Sequence, residues 1–407
     1  MEIIQGGVTA AKGFSAAAAE ANIKYEGRTD MAMIVSDVPA ACAGTFTTNV
    51  VKAAPVLWDR EIVRGGGSVR AVVVNSGIAN ACTGKEGMDY CEQTAGYAAE
   101  KLGIAPREVL VGSTGVIGMQ LKMDKLKAGI DKLVPALGSS LEKGTEANRA
   151  IMTTDTHTKE AAVQIEVGGK TVTIGGMCKG WGMIHPNMCT MLSFVTTDAA
   201  IDRELLQKAA SESIDKSFNM VSVDGDTSTN DTYIVLANGE AHNTPIAEEG
   251  EDYLKFKEAL DYVNTTLAKY MAGDGEGATA LVISRVTGAD SVEHARILAK
   301  SVITSSLTKA AIFGHDANWG RILCALGYSG VDFDPDRIEL RIKSGAGELL
   351  IFKDGVQAEY SEEKASAILS EKEVEIISDM KQGSCSAEAY GCDLSYNYVK
   401  INADYRS

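Results

Sequence analysis

Two periodicities alternate along the chain. Short apolar runs at Met31–Val38, Val69–Val74, Val109–Gly112 and Ala161–Val167 predict strands. Similar runs recur at Met191–Val195, Tyr233–Ala237, Ala280–Val286, Ile338–Ile342 and Glu348–Phe352. Between several of them lie helical patterns: Gly84–Leu102, Leu121–Leu137, Arg203–Phe218, Glu251–Met271 and Val292–Ser305. In the fourth, Tyr253, Phe256, Leu260 and Val263 fall on one face at helical spacing. Gly168-Gly169 inside Val163–Ile174 predicts a hairpin, because two adjacent glycines supply the positive φ of a tight turn. The mixture predicts an α/β or α+β fold with helices covering the sheets. A second alternating series opens near residue 285 and suggests a smaller C-terminal α/β domain over 285–407, with 190–284 completing the main one. There is no internal repeat, low-complexity tract or flexible linker.

Composition narrows the function classes. The 407 residues are 45% hydrophobic, ample for large cores, and the net charge of −16 argues against polyanionic partners. No basic run offsets that charge, so nucleic acid is not expected. The first residues lack a basic segment followed by an apolar one, and no apolar run reaches the roughly 20 residues of a membrane span. The eight cysteines are scattered without a framework, which suits reduced thiols and a cytoplasmic location. The five histidines stand alone and no Cys-x-x-Cys pair occurs, so no metal is expected. The acidic stretch Val223–Asp231 has its glycine in the wrong place for a calcium loop and reads as a turn or a loop beside an active site.

Several residues could carry chemistry. Thr190 sits between a Gly- and Pro-broken loop and an apolar strand pattern. A threonine there can attack its own preceding carbonyl, leaving a new N-terminus with a hydroxyl nucleophile and an α-amine base. It can equally be a β-former entering a sheet. His185 is an alternative base that a free α-amine makes unnecessary. Gly112–Gly118 follows a strand and precedes a helix, so its backbone N–H groups can hold an oxyanion or simply make a turn. Thr153-Thr154-Asp155-Thr156 offers hydroxyls for a ligand or for a turn. Lys179 is a loop cation that can pair with a carboxylate or stay solvated. Glu276, among the glycines of Gly273–Thr279, can point into a site or lie in a solvated turn.

Lys179-Gly-Trp-Gly-Met-Ile-His-Pro-Asn-Met-Cys-Thr-Met-Leu192 resembles the cleavage segment of the ornithine acetyltransferases, the glutamate N-acetyltransferase family of arginine biosynthesis. Further stretches share the resemblance: Asn75–Gly84, Gly112–Gly118, Gly273–Thr279, Gly314–Arg321 and Tyr398–Ser407. Trp181, Cys189, Ala280 and Ser407 depart from the usual family residues. The resemblance implies the helix-covered β-sandwich of the self-cleaving ornithine acetyltransferase and aminopeptidase type. It implies cleavage between Cys189 and Thr190 into fragments 1–189 and 190–407, with Thr190 as nucleophile and Thr114 and Gly115 as the oxyanion donors. Thr153 (or Thr154), Lys179, Thr190, Glu276, Asn402 and Ser407 would bind substrate.

The implied reaction moves acetyl from N2-acetyl-L-ornithine to L-glutamate through an acyl-threonine, without metal or bound cofactor. Acetyl-CoA is expected as a second donor, making the enzyme bifunctional. The alternatives are a monofunctional transferase, a self-cleaving aminopeptidase or amidase, and a binding protein that never cleaves. The family also implies a heterotetramer with two copies of each fragment.

Overall fold

A computed structural model describes residues 1–183 and 191–404. Among these, nine strands form one sheet and seven form another. In the first, the order is Glu2–Ile4, Lys159–Val167, Lys170–Lys179, Leu192–Thr197, Thr232–Ala237, Met31–Phe46, Val69–Asn75 and Val109–Ser113, with Phe14–Ala19 also pairing with Met31–Phe46.

Met31–Phe46 runs well past the expected Val38. Pro39 lacks a donor, but it falls where the pairing with Val69–Asn75 shifts register between Val35 and Ala40, so no ladder bond is lost. The first half of the strand pairs with Phe14–Ala19 and Val69–Asn75, and the second half with Thr232–Ala237. This one bent strand therefore joins two sub-sheets.

The sub-sheets share an apolar core. Leu192, Phe194, Ile234 and Leu236 pack with Met33, Val72 and Val74 of the other sub-sheet. Alternate residues Val195, Tyr233 and Val235 join a second core with Phe256, Leu260 and Val263 of the Glu251–Gly273 helix. Strand periodicity of two thus separates the two cores. Helices Ala54–Gly65, Glu86–Leu102, Met123–Ala136 and Leu141–Ile151 cover the first core. The result is the helix-covered sandwich expected from the sequence.

Parallel neighbours need crossovers. Val69–Asn75 and Val109–Ser113 are linked through the Glu86–Leu102 helix, and Leu192–Thr197 and Thr232–Ala237 through Arg203–Ile214. The latter stops before the expected Phe218, as Ser217 Oγ turns back to the Ser213 carbonyl at 2.7 Å and a 3-10 turn follows at Phe218–Met220. The expected hairpin forms, with Gly168 and Gly169 both at positive φ between Lys159–Val167 and Lys170–Lys179.

The second sheet runs Val356–Gln357, Gly347–Lys353, Glu339–Ser344, Glu373–Asp379, Leu281–Ala289, Cys385–Cys392 and Val221–Ser222. Helices Val292–Thr304 and Trp319–Gly327 pack with it in the second core, which also contains the inner face of Glu251–Gly273. Among the described residues, no helix is long and apolar enough to cross a membrane.

Register decides where chemistry can gather. Lys179 pairs with Leu192, Leu192 with Thr232 and Thr232 with Phe46 across one sub-sheet. Met31, Asn75 and Ser113 line up across the other. Both rows lie at strand ends, so the loops that leave them meet.

Candidate active site

Those loops enclose a cavity of about 350 Å³ lined by Thr114, Gly115, Thr153, Lys179, Glu276 and Asn402. Six residues expected from separate parts of the chain therefore share one space. Thr154 lines it too, as do Ser228, Thr229 and Asn230 of the acidic stretch, which is thereby a loop beside the site. Cys189 and Thr190, the expected cleavage pair and nucleophile, lie outside the described residues, as do His185 and Ser407.

The oxyanion candidates stand on a paired turn. Thr114 N–H donates to the Asn75 carbonyl at 3.0 Å and Val116 N–H to the Gly77 carbonyl at 3.1 Å. Ser113 Oγ donates to Asn75 Oδ1 at 2.7 Å, and Asn75 Nδ2 to the Ile78 carbonyl at 2.8 Å. Between them Gly115 has φ +126°, and a Cβ on it would overlap the Gly77 backbone. Only glycine fits there. The Gly115 N–H has no acceptor among the described residues. With the Thr114 hydroxyl it forms a pair of donors of the kind a tetrahedral oxyanion requires.

Lys179 ends its strand with its ammonium buried, 3.1 Å from Thr153 Oγ1 and 3.4 Å from Thr114 Oγ1. Among the described residues it makes no ion pair. Burial pulls its pKa below the usual lysine range, against the opposing pull of Asp155. A buried cation whose hydrogen bonds among the described residues go to hydroxyls favours a visiting anion.

Opposite in charge is Glu276. Its N–H donates to the Trp181 carbonyl at 3.0 Å, and Asn402 Nδ2 donates to its Oε2 at 2.5 Å. Burial raises the carboxyl above the ordinary glutamate range, with Asn402 and Lys179 opposing and Asp224 reinforcing. A Cβ on Gly182 would overlap the Glu276 carboxylate and push that side chain aside. Asn402 belongs to a terminal helix, Tyr396–Asp404, which the sequence reading treated only as a motif-bearing end. Trp181 lines this cavity and also a neighbouring groove of about 600 Å³ that includes His157 and Lys400. Ala280 is buried away from the cavity lining, its N–H held by Asp393 Oδ1 at 3.1 Å.

Four residues around the site were given no individual role by the sequence. Asn230 Nδ2 donates to the carbonyls of Ala79 at 2.6 Å and Ser113 at 2.8 Å, fastening its loop to the oxyanion turn. Asp231 is fully buried, and its Oδ1 accepts from Met191 N–H at 3.1 Å while Oδ2 has no hydrogen-bond partner among the described residues. Burial pushes its carboxyl well above the usual range. Asp155 and Lys159 form a buried pair at 2.8 Å beneath Thr153 and Lys179. In contrast, the Gly314–Arg321 motif is remote from the cavity lining: Asn318 caps the Trp319–Gly327 helix and Trp319 stacks on Phe352.

The family model described as the ArgJ family matches residues 15–407. The arginine biosynthesis bifunctional protein ArgJ of Symbiobacterium thermophilum is 53% identical over 409 aligned residues, covering all of both chains. Its namesake from Thermotoga neapolitana is 49% identical, covering 97% of this chain and 99% of the relative. Among solved structures, arginine biosynthesis bifunctional protein argJ from Bacillus halodurans is 45% identical with a TM-score of 0.50. That match covers 52% of this chain and 98% of the other.

Proposed function

The chain belongs to the ArgJ family, and from that premise we propose that it is a glutamate N-acetyltransferase of arginine biosynthesis, carrying acetyl from N2-acetyl-L-ornithine to L-glutamate. It takes acetyl-CoA as a second donor, in keeping with relatives named bifunctional. The observation that carries the reading is the single cavity holding two oxyanion donors, a buried ammonium and a half-buried carboxylate.

The chain first cuts itself. Thr190 Oγ attacks the Cys189 carbonyl carbon, the acyl group passes from nitrogen to oxygen, and water hydrolyses the ester. The products are the Cys189 carboxylate and a free Thr190 α-amine. That amine, a group basic enough for the task near neutral pH, then takes the Thr190 hydroxyl proton as Oγ attacks the acetyl carbonyl. Thr114 Oγ1–H and Gly115 N–H hold the oxyanion. Ornithine leaves with the proton, and the amine of glutamate attacks the acetyl ester to regenerate the hydroxyl.

Lys179 pairs with the α-carboxylate common to both amino acids, and Thr153 steadies it. Glu276, held by Asn402, pairs with the ornithine side-chain ammonium, and Ser407 completes the substrate set. Fragments 1–189 and 190–407 stay together, two copies of each, in the cytoplasm. The half-length match to the Bacillus halodurans chain supports a cut near the middle.

Intact mass and denaturing gels on wild type beside Thr190→Ala test the reading, followed by acetyl transfer assays. Two fragments in the wild type, the second starting at Thr190, and an uncut inactive variant are expected. An uncut wild type overturns the nucleophile assignment, and hydrolysis that outruns transfer to glutamate points to an amidase instead.

A further inference from the structure

Beneath the cavity, three segments that carry its side chains converge on one ammonium. Lys159 opens its strand and is fully buried. Its Nζ lies 2.8 Å from Asp155 Oδ1 and 2.6 Å from Asp274 Oδ2. Asp155 in turn accepts from Gly180 N–H at 2.7 Å and from Thr153 N–H at 3.1 Å. Asp274 accepts from Thr156 N–H at 3.1 Å and also from the Thr156 hydroxyl. Asn148 fixes the lysine backbone: Lys159 N–H donates to Asn148 Oδ1 at 3.1 Å, and Asn148 Nδ2 donates to the Lys159 carbonyl at 3.2 Å and the Cys178 carbonyl at 3.1 Å.

We propose that Lys159 is a positioning residue, a buried clasp that sets Thr153 and Lys179 against Glu276 and bridges the two fragments made by cleavage. The assignment rests on the reading above for the substrates and the cut. Gly180 is the residue after Lys179, and Asp274 lies two before Glu276 in the Gly273–Thr279 loop. Asp155 and Lys159 precede the cut and Asp274 follows it, so the Lys159–Asp274 ion pair crosses between fragments.

Burial argues that the arrangement is built for this. Placing charges out of water is costly unless each is paired and hydrogen-bonded, and here every partner is supplied by the protein. Burial alone would raise the Asp155 carboxyl, yet Lys179 and Lys159 hold it below the ordinary range. Burial alone would depress Lys159, yet Asp155 and Asp274 hold it above the usual lysine range. A surface ion pair is screened and mobile, whereas a desolvated one with backbone donors on both carboxylates rigidifies the loops it joins.

The test uses full-length Lys159→Met and Asp274→Asn. The second keeps the Lys159–Asp155 pair and serves if the first fails to fold. Hydrogen exchange by mass spectrometry reads the peptides covering 153–156 and 273–278, and steady-state kinetics read KM for both amino-acid substrates against kcat. Both peptides are expected to lose protection together, with KM for N-acetylornithine and glutamate raised tenfold or more and kcat within threefold. Loss in one peptide only, or KM values within twofold of wild type, overturns the clasp. A wild type that transfers no acetyl group defeats the functional reading, and exchange at the two peptides still decides the clasp.

Discussion

Lys179 Nζ lies 3.1 Å from Thr153 Oγ1 in a cavity where, among the described residues, no carboxylate pairs with it. Under the proposed function, an ammonium so placed would read a carboxylate common to donor and acceptor. Lys179→Met is therefore expected to raise KM for both substrates by about 10–100-fold, the loss of one charged hydrogen bond. Thr153→Val should raise both by a smaller factor. Because burial lowers the Lys179 pKa, the wild type loses this charge at a lower pH than an ordinary lysine would. Its KM should then climb on the alkaline side, and the Lys179→Met profile should be flat there. Kinetics across pH check both.

Glu276 gives the opposite limb. Burial raises its carboxyl, so as pH falls it takes a proton above the usual glutamate range and stops attracting an ammonium. KM for N-acetylornithine should rise on the acid side, whereas KM for glutamate, which has no side-chain amine, should change little. Glu276→Gln should raise the donor KM about tenfold at neutral pH and remove the acid limb.

Two glycines separate packing from positioning. A Cβ on Gly115 meets rigid backbone at Gly77 with φ already at +126°, so Gly115→Ala should destabilise the protein by roughly 1–3 kcal/mol or more. A Cβ on Gly182 meets only the flexible end of Glu276. Gly182→Ala should keep its melting temperature and lose affinity for N-acetylornithine. Thermal melts beside KM measurements distinguish the two outcomes.

Asp59 offers a stability test remote from the cavity lining. It is fully buried, accepts from Val111 N–H at 2.9 Å through Oδ1 and leaves Oδ2 without a partner among the described residues. Burial raises its pKa far above the unfolded value, so its stabilising effect is complete below the unfolded pKa and is lost as pH rises through the folded one. Asp59→Asn keeps the neutral shape and cannot ionise. It should melt roughly 2 °C or more above wild type at pH 8, converge with it toward pH 4, and leave catalysis unchanged.

The sequence was legible where one physical signal dominated. The Glu251–Gly273 helix showed its face through Tyr253, Phe256, Leu260 and Val263, and the glycine hairpin through Gly168 and Gly169. The helix Ala54–Gly65 was missed because its pattern opens on Ala-Pro, and Leu141–Ile151 because Gly144 and Thr145 dilute it. Glu276, Lys179 and Thr153 stood out through motif resemblance, and they do share a cavity. Asp155 and Lys159 did not, since a lysine entering a strand looks solvated until the fold shows both carboxylates upon it. Long-range convergence of that kind leaves no local trace.

Leu192–Thr197 and Thr232–Ala237 are inserted between Lys170–Lys179 and Met31–Phe46 in the sheet order. The segment after the proposed cleavage position thus supplies the middle of a sheet whose two sides come from the segment before it. Neither half holds all the strands of this nine-stranded sheet, whereas the seven-stranded sheet draws every strand from the second half. Under the proposed cut, recovering that strand order requires two fragments to find each other, because the link between them no longer exists. A gene split between codons 189 and 190 would have to achieve by collision what the intact chain achieves by connection.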